Sequence, residues 1–306
     1  MRVLFMGTPD FAVPSLEALA QAGYEVCGVF TQPDKPKNRG MKLVAPPVKQ
    51  KAQALNIPVF QPEKLRDGTA LETIRKLDPE LIVVAAYGRI LPDGILDFPR
   101  LGCINVHSSL LPKYRGAAPI HWAMLNGEEE TGVTIMHMAS ELDAGDIIMQ
   151  EKTSIAKDET VETLYSRLAE IGGVLLIKAI NALEAGTAPR VPQDPAQVSY
   201  APMLSRELSP IDWNKSAWEI HNQIRALIPW PAASTSLLPG KTIKVFASEM
   251  GGETSEAPGT ILEAGKSGIA VACGDGKVLY LTELQAPGSR RMAAADYLRG
   301  HPIQLS

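Results

Sequence analysis

An asparagine and a histidine stand two positions apart near the middle of the chain, as Asn105 and His107. The apolar residues around them predict a β-strand at 103–106, and side chains two apart in a strand point to the same face. There the Asn105 amide can donate a hydrogen bond to a developing oxyanion while the His107 imidazole donates or accepts a proton, as acyl transfer requires. The same side chains could instead satisfy backbone groups at the strand end, and spacing alone favours that interpretation.

Two acidic residues, Asp143 and Asp146, follow the next apolar strand pattern at 131–137, within a turn that contains glycine. A carboxylate in this turn could orient His107 or order a water molecule. It could also be a turn residue that caps its own loop, and spacing alone favours capping. Sequence position does not distinguish which of the two acids would face the histidine.

A basic loop covers residues 31–51. Its cations are Lys35, Lys37, Arg39, Lys42, Lys49 and Lys51, against the single acid Asp34. Clustered cations of this kind make a local electrostatic footprint for phosphate groups. A solvated loop kept soluble by its charge fits the pattern equally well.

Short apolar runs alternate with helical patterns through the first half of the chain, which predicts βαβ units and a mainly parallel sheet. The predicted strands are 3–6, 25–31, 58–60, 81–86, 103–106 and 131–137, and the predicted helices are 15–21, 48–55, 69–77 and 118–125. Ligands bind at the carboxyl ends of strands in such sheets. Residues 105–120 follow a predicted strand and therefore lie where a site is expected.

The second half of the chain changes character after a long predicted helix at 159–185. Prolines at 189, 192, 195 and 202 then predict a linker. A helix at 217–227 and short strands at 242–248, 259–263, 268–273 and 278–284 predict a small barrel. We therefore predict an α/β domain with a Rossmann-like sheet over 1–186, a linker over 187–205 and an OB-like β-barrel over 206–306.

Composition excludes some classes of protein. The net charge of −4 over 306 residues gives no global attraction to nucleic acid, so an RNA partner would depend on local patches. Three scattered cysteines without a CxxC pair argue against a disulfide framework or a thiolate zinc site, and they fit a reducing cytoplasm. We predict that the protein binds no metal, because no histidine has a carboxylate or cysteine at ligand spacing. The turn at Gly7 is a poor match to a dinucleotide-binding glycine pattern, and no apolar run approaches the length of a membrane span.

The chain resembles the folate-dependent formyltransferase family over nearly its whole length. The most specific stretch is 102–120, whose Asn-x-His-x-Ser-Leu-Leu-Pro pattern is similar to the family's hallmark segment. Further similarity lies at 5–12, 29–36, 87–92, 132–136 and 142–146, and in the second half at 211–213, 224–226, 229–231, 258–261 and 274–276. Two minor departures are Asn38 before Arg39, where glycine is usual, and Lys113, where arginine is usual.

The resemblance implies transfer of a formyl group from 10-formyltetrahydrofolate. It implies a catalytic group of Asn105, His107 and Asp143, and so selects Asp143 over Asp146. The folate site would be lined by Ser109, Leu110, Leu111 and Pro112.

The basic loop and the C-terminal module resemble those of family members that act in translation initiation. The resemblance therefore implies that the acceptor is the methionine of initiator methionyl-tRNA. Arg39, with Lys37 and Lys42, would contact the tRNA, as would the C-terminal domain. We expect a cytoplasmic monomer without a membrane partner or an obligate protein partner.

Three alternatives stay open. The acceptor could be a nucleotide-linked amino sugar, which would leave the basic loop without a use. It could be water, which would make the protein a hydrolase that releases formate. A folate- or RNA-binding module with a retired site is the third, and the presence of Asn105, His107 and Asp143 together argues against it.

Overall fold

A computed structural model describes residues 1–37, 42–238 and 241–303, with the backbone alone at Lys37 and Lys42. Its strands are β1 (Arg2–Gly7), β2 (Glu25–Phe30), β3 (Lys35–Lys37), β4 (Lys42–Val44), β5 (Val59–Phe60), β6 (Leu81–Ala85), β7 (Cys103–His107), β8 (Arg115–Gly116), β9 (Glu130–His137), β10 (Ile147–Ser154), β11 (Tyr200–Ala201), β12 (Ala233–Thr235), β13 (Ile243–Glu253), β14 (Ile261–Gly265), β15 (Gly268–Ala272), β16 (Lys277–Gln285) and β17 (Met292–Ala293). Its α-helices are α1 (Val13–Gln21), α2 (Pro47–Ala54), α3 (Thr69–Leu77), α4 (Asp93–Leu96), α5 (Pro119–Leu125), α6 (Val161–Glu184), α7 (Ala217–Ala226) and α8 (Ala294–Gly300).

The described residues form two compact units. The first contains residues 1–119, 130–153 and 165–201, and the second contains residues 120–129, 154–164 and 202 onward.

The first unit is built on a seven-stranded sheet in the order β10-β9-β7-β6-β1-β2-β5. Strand β1 pairs in parallel with both β2 and β6, and β6 pairs in parallel with β7. Strand β9 runs antiparallel to β7. Every residue of β6 is buried, as an apolar run in the centre of a covered sheet should be. The predicted α/β domain with a mainly parallel sheet is confirmed.

The second unit is built on a six-stranded sheet in the order β12-β13-β16-β15-β14, with β17 added on β16. The strand pairs of this sheet are antiparallel. Helices α7 and α8 contribute Ile220, Ile224 and Tyr297 to its buried core. Helix α7 begins with a capping box, in which Ser216 accepts from the Glu219 N–H and the Glu219 carboxylate accepts from the Ser216 N–H. The predicted C-terminal β-domain is confirmed.

Residues 187–201, predicted to be part of a linker, form backbone hydrogen bonds within the first unit. Val191 bridges to Ile147, and β11 pairs in parallel with β8. These backbone hydrogen bonds hold the segment against the first unit. The prolines indicate a linker, but a proline removes only its own N–H donor and leaves the remaining N–H and C=O groups of the segment able to pair.

The sequence patterns also missed some elements outright. Strand β10, the β3–β4 hairpin, β12 and helix α8 were not predicted. Strand β10 is half exposed and carries mixed polar residues, so it lacks a continuous apolar run.

Candidate active site

Strand β7 carries Asn105 between two neighbouring strands. In the sheet register Asn105 lies beside Val84 of β6 and Met136 of β9. Its side chain is partly exposed. Among the residues that the structure describes, no group forms a hydrogen bond with the Asn105 side-chain amide. The amide is therefore free to donate to a ligand.

His107 ends the same strand and is only 5% exposed. Its Nε2 lies 3.0 Å from the carbonyl oxygen of Tyr114. A carbonyl can only accept, so Nε2 carries a hydrogen. In the neutral ring Nδ1 is then the basic nitrogen, and it lies 3.7 Å from Oδ2 of Asp143. A proton that arrives on Nδ1 would face this carboxylate and be stabilised by it.

Asp143 lies in the turn between β9 and β10. Its φ of 51° is a left-handed conformation that few residues other than glycine adopt. Its Oδ2 accepts a 2.9 Å hydrogen bond from the N–H of Gly116. At Gly145 an added Cβ would stand 1.9 Å from the carbonyl oxygen of His137, so this turn tolerates only glycine there. The backbone thus presents the Asp143 carboxylate to His107.

The other candidate acid has a different partner. Oδ2 of Asp146 lies 3.6 Å from Nη1 of Arg190. The structure therefore brings Asp143, and not Asp146, to the histidine.

The loop after β7 is tied down by Thr134 of β9. The Thr134 hydroxyl donates to the carbonyl oxygen of Ser109 at 2.6 Å and accepts from the N–H of Leu111 at 3.1 Å. Nε2 of Gln150 donates to the same hydroxyl and to the carbonyl oxygen of Leu111, at 2.9 and 2.8 Å. Neither Thr134 nor Gln150 was predicted as a site residue, since a lone polar side chain in a strand gives no sequence signal.

The four residues expected to line the folate site divide into two pairs. Ser109 and Leu111 are buried, and the Ser109 hydroxyl donates to the carbonyl oxygen of Lys113 at 2.6 Å. Leu110 and Pro112 are half-buried and keep accessible surface. The second pair can contact a bound molecule, whereas the first pair shapes the loop.

Sequence reasoning also missed a set of polar contacts around Arg115, in the same segment as the Asn105–His107 strand. Arg115 is buried, and its Nη1 lies 3.3 Å from Oε1 of Glu141. Its Nε and Nη2 donate to the side chain of Gln193. The only sequence signal was the position of Arg115 inside the segment 105–120.

The basic loop contains cations that are engaged within the protein. Nζ of Lys49 lies 2.8 Å from both carboxylate oxygens of Asp34 and 2.8 Å from Oε1 of Gln61. Lys51 pairs with Glu17. Both lysines lie in α2, where Lys49 reaches across to the start of the loop and Lys51 is paired with Glu17 of α1.

Three residues of the basic loop are expected to bind tRNA, and none of their side chains is among those that the structure describes. Arg39 lies outside the described residues, and Lys37 and Lys42 are paired through their backbones in the β3–β4 hairpin.

Across residues 1–37, 42–238 and 241–303 we find no group of three or more His, Cys, Asp or Glu side chains that could hold a metal ion. Within those same ranges, none of the helices is both long and apolar enough to cross a membrane. All three cysteines are buried and free.

Family comparisons cover almost the whole chain. A family model described as formyl transferase matches residues 1–180, and one described as the formyl transferase C-terminal domain matches residues 203–302. A methionyl-tRNA formyltransferase of Pelotomaculum thermopropionicum is 52% identical over 99% of this chain and 96% of its own length. One from Halalkalibacterium halodurans is 50% identical over 100% of this chain and 96% of its own length.

Solved structures with the same fold are more distant in sequence. An N-formyltransferase from Helicobacter canadensis, in complex with folinic acid and dTDP-3-aminofucose, has a TM-score of 0.71 at 23% identity, covering 93% of this chain and 98% of that one. HypX from Aquifex aeolicus, in complex with tetrahydrofolic acid, has a TM-score of 0.65 at 19% identity, covering 100% of this chain and 48% of that one. At these identities the likeness shows the fold alone.

Proposed function

The chain belongs to the formyl transferase family, and on that premise we propose that it formylates the α-amino group of methionine on initiator tRNA, with 10-formyltetrahydrofolate as the formyl donor. The acceptor follows from full-length relatives at about half identity, whose names specify methionyl-tRNA. The reaction supplies the formylated methionine of translation initiation.

The structural observation that carries the proposal is the arrangement around His107. A buried imidazole has its basic Nδ1 directed at a carboxylate, on the same strand as an asparagine amide without a hydrogen-bond partner among the described residues. One donor for an oxyanion beside one proton acceptor is the minimum set for acyl transfer to an amine. This pair of groups fits the transfer of a formyl group to an amine.

We assign each side chain a step. Bound 10-formyltetrahydrofolate supplies an electrophilic formyl carbon. The methionine nitrogen bonds to that carbon, the carbon's bond to N10 breaks, the amine loses a proton and N10 gains one. Asn105 donates to the oxyanion between these events, His107 moves the proton at Nδ1, and Asp143 stabilises the ring while it is charged.

An amine acceptor makes a covalent enzyme intermediate unnecessary. A free α-amino group titrates near pH ~8, so a useful fraction is neutral at physiological pH. The described cysteines are buried and serve no such role, since burial raises the pKa of Cys103 to about 12 and that of Cys273 to about 11.

An acceptor assay tests the proposal against its alternatives. The protein is incubated with 10-formyltetrahydrofolate and, in separate reactions, methionyl-initiator tRNA, an amino-sugar nucleotide, or buffer alone. We expect a formylated product with the tRNA only. Formylation of the sugar, formate release in buffer, or no turnover in any reaction would each refute the assignment.

The expected localisation follows from the acceptor. Because aminoacylated tRNA is used in protein synthesis, we place the reaction in the cytoplasm. A monomer stays our prediction, which size-exclusion chromatography with light scattering tests directly.

A further inference from the structure

Gln193 lies in the proline-rich segment before β11 and contacts the turn that carries Asp143. Its Nε2 donates to two backbone carbonyl oxygens, those of Asp143 and Gly145, each at 2.8 Å. Its Oε1 accepts from Nε and Nη2 of Arg115, at 3.0 and 2.8 Å. A single side-chain amide thus uses both of its ends to join two parts of the site.

Arg115 fixes which way this amide points. A guanidinium only donates hydrogen bonds, so the oxygen end of Gln193 must face Arg115 and the NH₂ end must face the turn. The Arg115 side chain is 8% exposed, and its carboxylate partner among the described residues, Glu141, is 71% exposed and 3.3 Å away. A buried charge needs close partners, and the Gln193 oxygen provides the two shortest of these contacts.

The contact with the turn bears directly on the Asp143 carboxylate. Asp143 holds a left-handed backbone conformation, which is strained for a residue with a side chain. Two hydrogen bonds from Gln193 to carbonyls on either side of Ala144 oppose relaxation of that strain. If the turn relaxed, the carboxylate would move relative to Nδ1 of His107.

We propose that Gln193, oriented by Arg115, is a positioning residue that holds Asp143 in place for proton transfer at His107. This inference rests on the proposed formyl transfer. It assigns a functional role to a residue of the segment that the sequence predicts only as a linker.

Two substitutions at one position separate the proposed role from simple structural support. Gln193→Ala removes all four hydrogen bonds. Gln193→Glu keeps an acceptor for the buried Arg115 but replaces the donors that face the two carbonyls. Gln197→Ala is the matched control, because Gln197 is an exposed glutamine of the same segment whose side chain bonds, within the described part of the chain, to Asp194 alone.

The measurements are kcat, the KM for each substrate, and thermal melting of each variant. We expect both Gln193 variants to lose about 10- to 100-fold in kcat, the range typical of supporting hydrogen bonds, with KM unchanged. Gln193→Glu should melt near the wild-type temperature, because the buried charge keeps its partner. Gln197→Ala should match the wild type in every measurement.

A double-mutant cycle with Asp143→Ala provides the readout that mere structural support would not alter. If Gln193 acts through Asp143, then adding Gln193→Glu to Asp143→Ala should cause no further loss of kcat. Additive losses, or a Gln193→Glu enzyme with wild-type kcat, would overturn the positioning role while leaving formyl transfer established by the wild type. A wild-type protein that transfers no formyl group would overturn both.

Discussion

Nδ1 of His107 lies 3.7 Å from Oδ2 of Asp143. The distance is longer than a hydrogen bond, and Nε2 is already committed to the Tyr114 carbonyl oxygen. The two side chains therefore form no direct hydrogen bond in this structure, and a proton placed on Nδ1 would face the carboxylate.

Replacing Asp143 by asparagine should lower kcat by about 10²–10³-fold, within the usual contribution of acid–base groups. The amide oxygen can still accept from the Gly116 N–H, so the fold should persist, but the negative charge that stabilises a protonated His107 is lost. Steady-state formylation with saturating tRNA measures the effect. Asp146→Asn is the matched control and should keep wild-type kcat, because Asp146 pairs with Arg190 instead. Equal losses in the two variants would contradict our choice of acid.

Asn105→Ala should lower kcat by about 10²–10³-fold, the usual cost of one oxyanion donor. Folate affinity should change little, because Asn105 is assigned to the oxyanion and not to ground-state binding. Fluorescence titration with tetrahydrofolate and single-turnover kinetics separate the two effects. A variant that keeps more than about a third of wild-type kcat would exclude this role.

The ion pair at the base of the basic loop gives a prediction about tRNA binding. Lys49→Met should raise the KM for tRNA without changing the KM for folate, because Lys49 holds Asp34 at the start of the loop. Asp34→Asn should raise the same KM, although this change makes the loop more basic. Were Lys49 a phosphate contact instead, Asp34→Asn would leave tRNA binding unchanged or tighten it.

The same ion pair should respond to acid. Hydrogen bonds from Lys49 and then Gln61 hold the pKa of Asp34 below its usual range. A carboxyl group with a lowered pKa in the folded protein stabilises it at higher pH, and that contribution is lost as the pH falls through the lowered value. We therefore expect the loop contact to persist throughout neutral and mildly acidic conditions. An NMR titration of the Asp34 carboxyl carbon should show a midpoint below that of a free aspartate. An ordinary midpoint would exclude the ion pair between Lys49 and Asp34 in solution.

His221 in the second unit gives a prediction about stability. It is buried, its Nε2 lies 3.1 Å from the Lys157 carbonyl oxygen and its Nδ1 lies 2.9 Å from the Ser248 hydroxyl. Burial, with a smaller contribution from the charge on Arg225, lowers the pKa of His221. The unfolded chain then binds the proton more readily, so stability should fall as the pH drops below the usual histidine range.

Tryptophan fluorescence is suited to this measurement, because all four tryptophans lie in the second unit. Urea unfolding followed at pH 7 and pH 5 should show a lower midpoint at pH 5 in the wild type. His221→Gln should reduce that difference, and the remainder belongs to His121 of the same unit, whose pKa is also lowered by burial. His301→Gln is the control, since His301 is exposed and stacks on Tyr297 near the end of the described chain. A pH dependence as large in His221→Gln as in the wild type would refute the assignment.

Sequence patterns predicted the parallel sheet, because buried strands such as β6 leave apolar runs, and they predicted a strand at 103–106 that carries Asn105 and in the structure extends to His107. They could not choose between Asp143 and Asp146, since the choice depends on which carboxylate a left-handed turn directs at the ring. They also missed Gln193, whose role arises from contacts with residues far away in the chain. Lys49 and Lys51 counted as loop charges in the sequence, but their partners are visible only in three dimensions.

The most direct test of the account follows a labelled formyl group. 10-Formyltetrahydrofolate that carries an isotopic label in the formyl carbon is mixed with the protein and methionyl-initiator tRNA, and the methionine released from the tRNA is analysed by mass spectrometry. We predict labelled N-formylmethionine with the wild type, formed at least about tenfold more slowly by His107→Ala. Unlabelled methionine with the wild type, or wild-type rates in His107→Ala, would contradict the account.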